Sequence, residues 1–164
     1  MQRAGGGVAT ARERAETMAR LRLAIQRSTM YTVLLHHATA TKAGLNVTDA
    51  QALNALYLDG PQTPGELARL MGITTGGAVT AVIDRLEKAG YVRRSRDADD
   101  RRRVIVEVVP EAMARFGAYF EPVGAAFAER ADSCSDRELA FLRRWIDGNN
   151  AEMPRVIERI RDLP

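Results

Sequence analysis

A single cysteine, Cys134, stands in the 164 residues of this chain. One thiol cannot close an internal disulfide, so the fold must rest on a buried apolar core. Histidine is nearly as scarce: His36 and His37 are the only two. With one distant cysteine they make no metal-ligand spacing, so neither a metal nor any other cofactor is expected. No uninterrupted apolar run reaches the roughly 18 residues of a membrane-crossing helix. Residues 1–11 carry an arginine but no apolar segment of a secretory signal, and a cytoplasmic protein is expected. There is no glycine-rich phosphate loop, no His-Glu-x-x-His and no nucleophile elbow, so an enzyme is not expected.

What the chain does have is apolar residues, 46% of the total, and arginine in an uneven distribution. The net charge is only +3, yet six arginines and three aspartates fall between Tyr91 and Arg103. Local positive charge of this kind suits a polyanion, with nucleic acid the first candidate and an anionic membrane surface the second.

The stretch Thr63–Val108 organises that charge. Thr63-Pro64-Gly65-Glu66 opens a short helix with a capping box and proline at its first position. Leu67, Ala68, Leu70 and Met71 give it an apolar face, and Gly72 stops it. A second helix follows, with Val79, Val82, Ile83 and Leu86 facing inward and Gly76, Gly77, Thr80, Ala81 and Asp84 outward. Gly90 ends it. Then come Tyr91-Val92-Arg93-Arg94, a charged loop from Asp97 to Arg103, and the alternating strand Val104–Val108. A helix–turn–helix followed by a basic hairpin suits duplex DNA, with one helix in the major groove and the hairpin in a neighbouring groove.

Long helices flank this core. Residues 12–41 carry Met18, Leu21, Ile25, Leu34, Leu35 and Ala38 at helical spacings. Thr48-Asp49-Ala50-Gln51 reads as a capping box for the next helix, which carries Leu53, Leu56 and Tyr57. Pro110 begins a long helix with Met113, Phe116, Phe120, Val123 and Phe127 as its stripe and a kink expected at Pro122. Ser135-Asp136-Arg137-Glu138 is a further capping box. The helix after it carries Leu139, Leu142, Trp145 and Ile146, with a break expected at Gly148-Asn149-Asn150. The expected fold is mainly α with a small β-hairpin, a winged helix–turn–helix flanked by dimerisation helices. Its divisions are a disordered tail at 1–11 containing Gly5-Gly6-Gly7, an N-terminal dimerisation helix at 12–44, a DNA-binding domain at 45–110, and C-terminal helices at 111–164. The apolar stripes of the flanks exceed what so small a core can cover, so they predict a homodimer and an operator of matching two-fold symmetry.

From Leu45 to about Ala112 these residues resemble the MarR family of winged-helix transcriptional regulators. The resemblance rests on Thr48-x-x-Gln51, Glu66-Leu67-Ala68 with Met71-Gly72-Ile73, and Val79-Thr80. It continues through Asp84–Val92, Arg94, Asp97-x-x-Asp100-Arg101-Arg102 and Val104-x-Val106-x-Val108. It implies a dimer, usually a repressor, joined by its first and last helices, with an effector often bound between the dimer region and the DNA-binding lobe. It also implies that Thr80 lies on the recognition helix, and that Asp100 braces Arg102, which enters the minor groove. Ala81 stands where the family often has arginine, Gly76-Gly77 where bulkier polar residues are common, and Val108-Val109 where Leu-Thr usually ends the wing.

The candidate DNA-binding residues are therefore Thr74, Thr75, Gly76, Gly77, Thr80, Ala81, Arg85, Arg94, Asp100, Arg101, Arg102 and Arg103. Small residues let the helix backbone approach the groove, and Thr80 and Ala81 suit thymine methyl groups. Arg93, Arg94, Arg101 and Arg103 suit phosphates or bracing of the wing. Tyr31, His36, His37 and Tyr57 are candidates to line a pocket for a small aromatic or apolar effector. Helix-face packing is the simpler reading of the two histidines. The family's hydroperoxide-sensing branch places its cysteine near the chain start, so Cys134 is expected to be dispensable. The function expected is that of a sequence-specific DNA-binding regulator, a repressor released by a small molecule. The alternative is a winged-helix protein–protein adaptor without operator specificity.

Overall fold

The computed structural model describes residues 10–97 and 99–164. Most of the expected tail lies outside that range, but its last two residues do not form a tail. Thr10 caps the first helix and Ala11 begins it. The chain divides into two compact units, one ending at Tyr119 and one spanning Phe120–Pro164.

The first unit contains α1 (Ala11–Lys42), α2 (Val47–Asp59), α3 (Pro64–Met71), α4 (Gly76–Lys88), β1 (Val92–Arg96), β2 (Val104–Val108) and α5 (Pro110–Ala118). A Thr10–Glu13 capping box starts α1, yet of its 32 residues only Thr39 and Ala40 are buried. The core lies around α2 and α4. Leu53, Leu56, Leu67, Ile83, Leu86 and Val106 are all 0–1% exposed, and Val79, Val82 and Phe116 are nearly so. The expected inward face of α4 is therefore the observed one. Thr63 and Glu66 form the expected capping box on α3, and Gly72 ends that helix at φ 67°. A left-handed residue there releases the chain into the turn before α4, and glycine adopts it without steric cost.

The hairpin pairs β1 and β2 antiparallel, with Val92 opposite Val108 and Arg96 opposite Val104. Gln62, in the linker between α2 and α3, exchanges both backbone hydrogen bonds with Val106 at 3.0 and 2.8 Å. That bridge ties the outer side of β2 to the helix–turn–helix. Tyr91 meets Phe116 edge to face with ring centroids 6.0 Å apart, which holds α5 against the start of β1.

The second unit contains α6 (Glu121–Ala131) and α7 (Asp136–Arg161), with no buried residue in either helix.

Three local expectations fail. The start of α2 is capped by Asn46, whose side chain accepts the amide of Asp49, so Thr48 and Gln51 form no capping box there. The cap lies one residue before the helix begins at Val47, and Thr48 is already helical. The single kinked helix after Pro110 is two helices, and Pro122 sits in the first turn of α6. In a first turn the missing N–H of proline removes no intrahelical bond. The break at Gly148-Asn149-Asn150 does not occur, because α7 runs through it and through Pro154. Glycine and asparagine lower helix propensity by up to about 1 kcal/mol each. They end a helix where one takes the left-handed region, which Gly148 does not.

Candidate nucleic-acid interface

One face of α4 is finished by the fold and the other is bare. Gly76, Gly77, Thr80, Ala81 and Asp84 are exposed, as are Thr74 and Thr75 ahead of them. Thr75 stands at the N-cap but makes no side-chain cap, and the first turn contains no acid. Its leading amides keep their partial positive charge. Thr80 donates its hydroxyl hydrogen to the carbonyl of Gly76 at 2.9 Å, so it presents outward a methyl and an acceptor oxygen. A Cβ placed on Gly76 or Gly77 would meet nothing within 4 Å, and neither residue has positive φ. The fold itself therefore imposes no reason for glycine at either position.

The arginines separate into two groups. Arg85, Arg93, Arg94 and Arg103 are held by carboxylates. Arg85 forms a bidentate pair with Asp49 at 2.8 and 2.7 Å, and the Asp49 side chain is only 3% exposed. That hydrogen bond raises the Arg85 guanidinium above its ordinary value. Arg93 bonds Glu107 across the hairpin at 3.0 Å. Arg94 bonds Asp84 at 2.5 Å and also Glu87, and so ties β1 to α4. Partial burial acts to lower the Arg94 guanidinium, but the two acids outweigh it and leave it raised. Arg103 lies 3.5 Å from Asp97 and 3.6 Å from Glu66.

Arg96, Arg101 and Arg102 form the second group. They are exposed, and none has a carboxylate within ion-pair distance among the described residues. Two of the wing acids accept backbone amides of the loop instead. Asp97 accepts the amides of Asp99 and Asp100 at 2.9 and 3.3 Å. Those two bonds, with Arg103 nearby, hold its carboxyl below the usual range. Asp100 accepts the backbone N–H of Arg102 at 3.0 Å. Asp100 thus shapes the chain at Arg102 through its backbone and not through its guanidinium.

The candidate effector residues lie on the first two helices. Tyr31 on α1 and Tyr57 on α2 are 56% and 61% exposed, His37 is exposed and His36 half-buried. Two open cavities occur nearby, one along α1 at Leu23, Arg27 and Met30, the other at Asn46, Asp49, Arg85 and Lys88. None of the four residues lines either one. Cys134 is half-buried beside the Arg130 carbonyl.

Sequence reasoning missed Asp49 and Asn46 as parts of this region. A signal was present: Asp49 shares the helical spacing of Ala52, Leu53 and Leu56, which places a carboxylate on a buried stripe. A buried acid requires a cation or several donors.

Comparison with known proteins agrees with this geometry. The MarR family model matches residues 43–103, from the approach to α2 through the wing loop. The uncharacterized HTH-type transcriptional regulator YcgE of Bacillus subtilis is 35% identical over 130 residues, covering 79% of this chain and 84% of that protein. A MarR family protein from Bacillus stearothermophilus shares the fold with a TM-score of 0.65 at 23% identity, over 85% of this chain and 97% of that one. The transcriptional regulator Tm0710 from Thermotoga maritima gives 0.58 at 21% identity, over 85% and 98%. The family match falls on the helix–turn–helix and its wing, and the identity to YcgE extends over most of both proteins. The chain belongs to the MarR family of winged-helix, DNA-binding transcription regulators, and is not an enzyme.

Proposed function

We propose that the protein is a cytoplasmic homodimeric repressor that reads a pseudo-palindromic operator and releases it on binding a small effector. The observation that carries the DNA-reading part is the sorting of the arginines. Four are committed to carboxylates, while Arg101 and Arg102 are exposed on the wing with no ion-pair partner among the described residues. An unpaired guanidinium held by a shaped loop suits the negative potential of a narrow minor groove. The bare face of α4, with Thr74, Thr75, Gly76, Gly77, Thr80 and Ala81, takes the major groove, its glycines admitting a close backbone approach.

Dimerisation is supported by the apolar stripes that each unit leaves open. On α1, Met18, Leu21, Ile25 and Leu34 are 40–55% exposed, and on α7 so are Leu142, Trp145 and Ile146 at 42–44%. A second copy would cover both, and a two-fold operator follows from that symmetry. An aromatic or apolar effector would meet Tyr31 and His37 on α1. That assignment rests on the family's habit and on their exposure.

Footprinting on the DNA upstream of the protein's own gene, followed by titration across a salt series, tests this reading. Arg102→Ala is expected to weaken operator binding by about 1–3 kcal/mol per half-site. Asp100→Ala is expected to weaken it too, although it removes negative charge beside DNA. Tighter binding by Asp100→Ala at every salt concentration would show that the wing is a diffuse positive surface. Loss of the complex on adding phenolic acids, abolished by Tyr31→Ala, would support the effector site.

A further inference from the structure

On the reading that α4 enters the DNA groove, we infer that Asp49, Asn46 and Arg85 form a clamp that sets the orientation of α4. Arg85 acts on operator affinity through this clamp, as a positioning residue, and touches no phosphate.

The clamp is built on the first turn of α2. Asn46 accepts the amide of Asp49 at 2.8 Å and donates its side-chain NH2 to Asp49 Oδ2 at 2.9 Å. These two bonds fix the carboxylate before Arg85 meets it. Asp49 also sits where the helix N-terminus favours negative charge. Arg85 then delivers Nε to Oδ2 and Nη2 to Oδ1, a planar fork on a planar acceptor. Such a pair constrains direction as well as distance, and an ammonium cannot replace it.

The place of Arg85 on α4 explains why direction matters. It follows the exposed Ala81 by one turn and lies on the flank between the bare face and the buried face. The inner face of α4 is held by Val79, Val82, Ile83 and Leu86, which are aliphatic and make non-directional contacts. Aliphatic packing resists separation more than it resists a small roll of the helix about its axis. On the far side, Arg94 bonds Asp84 and Glu87 from β1. With the clamp on one flank and Arg94 on the other, α4 is gripped by ion pairs to two different elements. Its rotation then decides where Thr80 and Ala81 point. Asp49 is buried, so loss of Arg85 leaves an uncompensated charge, a strong reason for the arginine to stay.

The sequence suggested instead that Arg85 contacts DNA, and the two roles differ in measurable ways. A phosphate contact contributes about 0.9 to the slope of log K against log salt, so two per dimer contribute about 1.8. It acts equally on operator and scrambled DNA, survives Arg85→Lys, and gains when Asp49→Asn frees the guanidinium. A clamp predicts the reverse on every count. Full-length parent, Arg85→Lys, Arg85→Gln, Asp49→Asn and the double Asp49→Asn/Arg85→Gln are titrated with operator and scrambled fragments across a salt series. We expect each single variant to lose at least tenfold on the operator, with unchanged slope and unchanged affinity for scrambled DNA. The double should lose no more than the worse single.

A lower slope in Arg85→Gln, or tighter binding by Asp49→Asn, overturns the inference. So does a lowered melting temperature with the operator-to-scrambled ratio intact well below melting, since the pair is then structural only. Hydrogen exchange without DNA gives an independent readout. Amides of residues 76–88 should exchange faster in Asp49→Asn while those of 104–108 do not, and equal protection overturns the clamp. If the parent itself prefers no fragment, the regulator reading fails on that result. The exchange experiment then still decides whether the clamp holds α4.

Discussion

Helices α4 and α7 carry the same kind of pattern and meet opposite fates. Both have apolar residues at spacings of three and four. In α4 the stripe of Val79, Val82, Ile83 and Leu86 is 0–4% exposed. In α7, Leu142, Trp145, Ile146, Met153, Ile157 and Ile160 are all at least 42% exposed. Periodicity therefore identifies a helix and its apolar face, but not the molecule that covers the face. In α4 the cover comes from α2, α3 and β1 of the same chain. For α7 the proposed cover is a second copy.

The largest effects should separate these two kinds of burial. Leu86→Ala opens a cavity in a filled core and is expected to lower unfolding free energy by about 2–5 kcal/mol. That loss should not depend on protein concentration beyond what the parent shows. Trp145→Ala with Ile146→Ala should act through assembly, shifting sedimentation toward monomer and removing the concentration dependence of the melting temperature. If the double variant stays a dimer and simply melts earlier, the stripe on α7 is covered by its own chain. The comparison with α4 then collapses.

The same contrast shows what was legible beforehand. The helices of the winged core, the inward face of α4, the hairpin and the capping boxes at Thr63 and Ser135 follow from local chemistry, which the chain writes in consecutive residues. The missed features are non-local or competitive. The bridge of Gln62 to Val106 joins a linker to a strand through backbone atoms, which carry no residue signature. The Asp49–Arg85 pair joins residues 36 apart, and only the presence of an acid on a buried stripe hinted at it. Gly148-Asn149-Asn150 reads as a break when judged by propensity alone. Yet Leu142, Ile146, Met153 and Ile157 keep one phase across it, and that phase was the better guide. The arginines of α4 and the wing are identical as letters, and only the positions of Asp49, Asp84, Glu87, Glu66, Asp97 and Glu107 divide them into bracing and free groups.

An intermediate effect is expected at the helix starts. Thr63 on α3 and Ser135 on α7 form capping boxes with the same geometry, each accepting the amide of the glutamate three residues on. Thr63→Ala and Ser135→Ala should each cost about 0.5–2 kcal/mol if both helices contribute to the same cooperative transition. Hydrogen bonds from the backbone and hydroxyl of Thr63 hold Glu66 below the usual carboxylate range, and those from the Ser135 hydroxyl and backbone do the same to Glu138. A depressed folded value means stability that is complete above the ordinary carboxylate range and lost as pH falls through the folded value. Acid titration of the melting temperature should therefore show part of its fall at the acidic end of that range, and each alanine variant should show less of it. A variant with an unchanged acid profile would mean that its box forms no such bonds in solution. If only Ser135→Ala were silent in the melt, α7 would be unfolding separately from the core.

The smallest expected effect concerns two glycines. Gly148 in α7 and Gly77 in α4 both lie in helical backbone with no positive φ, and an added Cβ would meet nothing within 4 Å at either site. Alanine should therefore stabilise the chain at both positions, by roughly 0.4–1 kcal/mol, because the unfolded state loses freedom while the folded state loses nothing. The gain should be smaller at Gly77, which sits in the first turn where helix propensity counts for less. On function the two should part. Gly148→Ala changes a residue outside the proposed DNA face and should leave operator affinity as it was. Gly77→Ala puts a methyl group on the face proposed to approach the groove, where the backbone rather than a side chain is to make the contact. It should raise the melting temperature and weaken operator binding in the same protein, with little change in affinity for scrambled DNA. Thermal melts beside operator titrations of the two variants decide the matter. If Gly77→Ala gains stability and binds the operator as the parent does, the small residues of α4 are not there for close approach, and specificity must come chiefly from the wing.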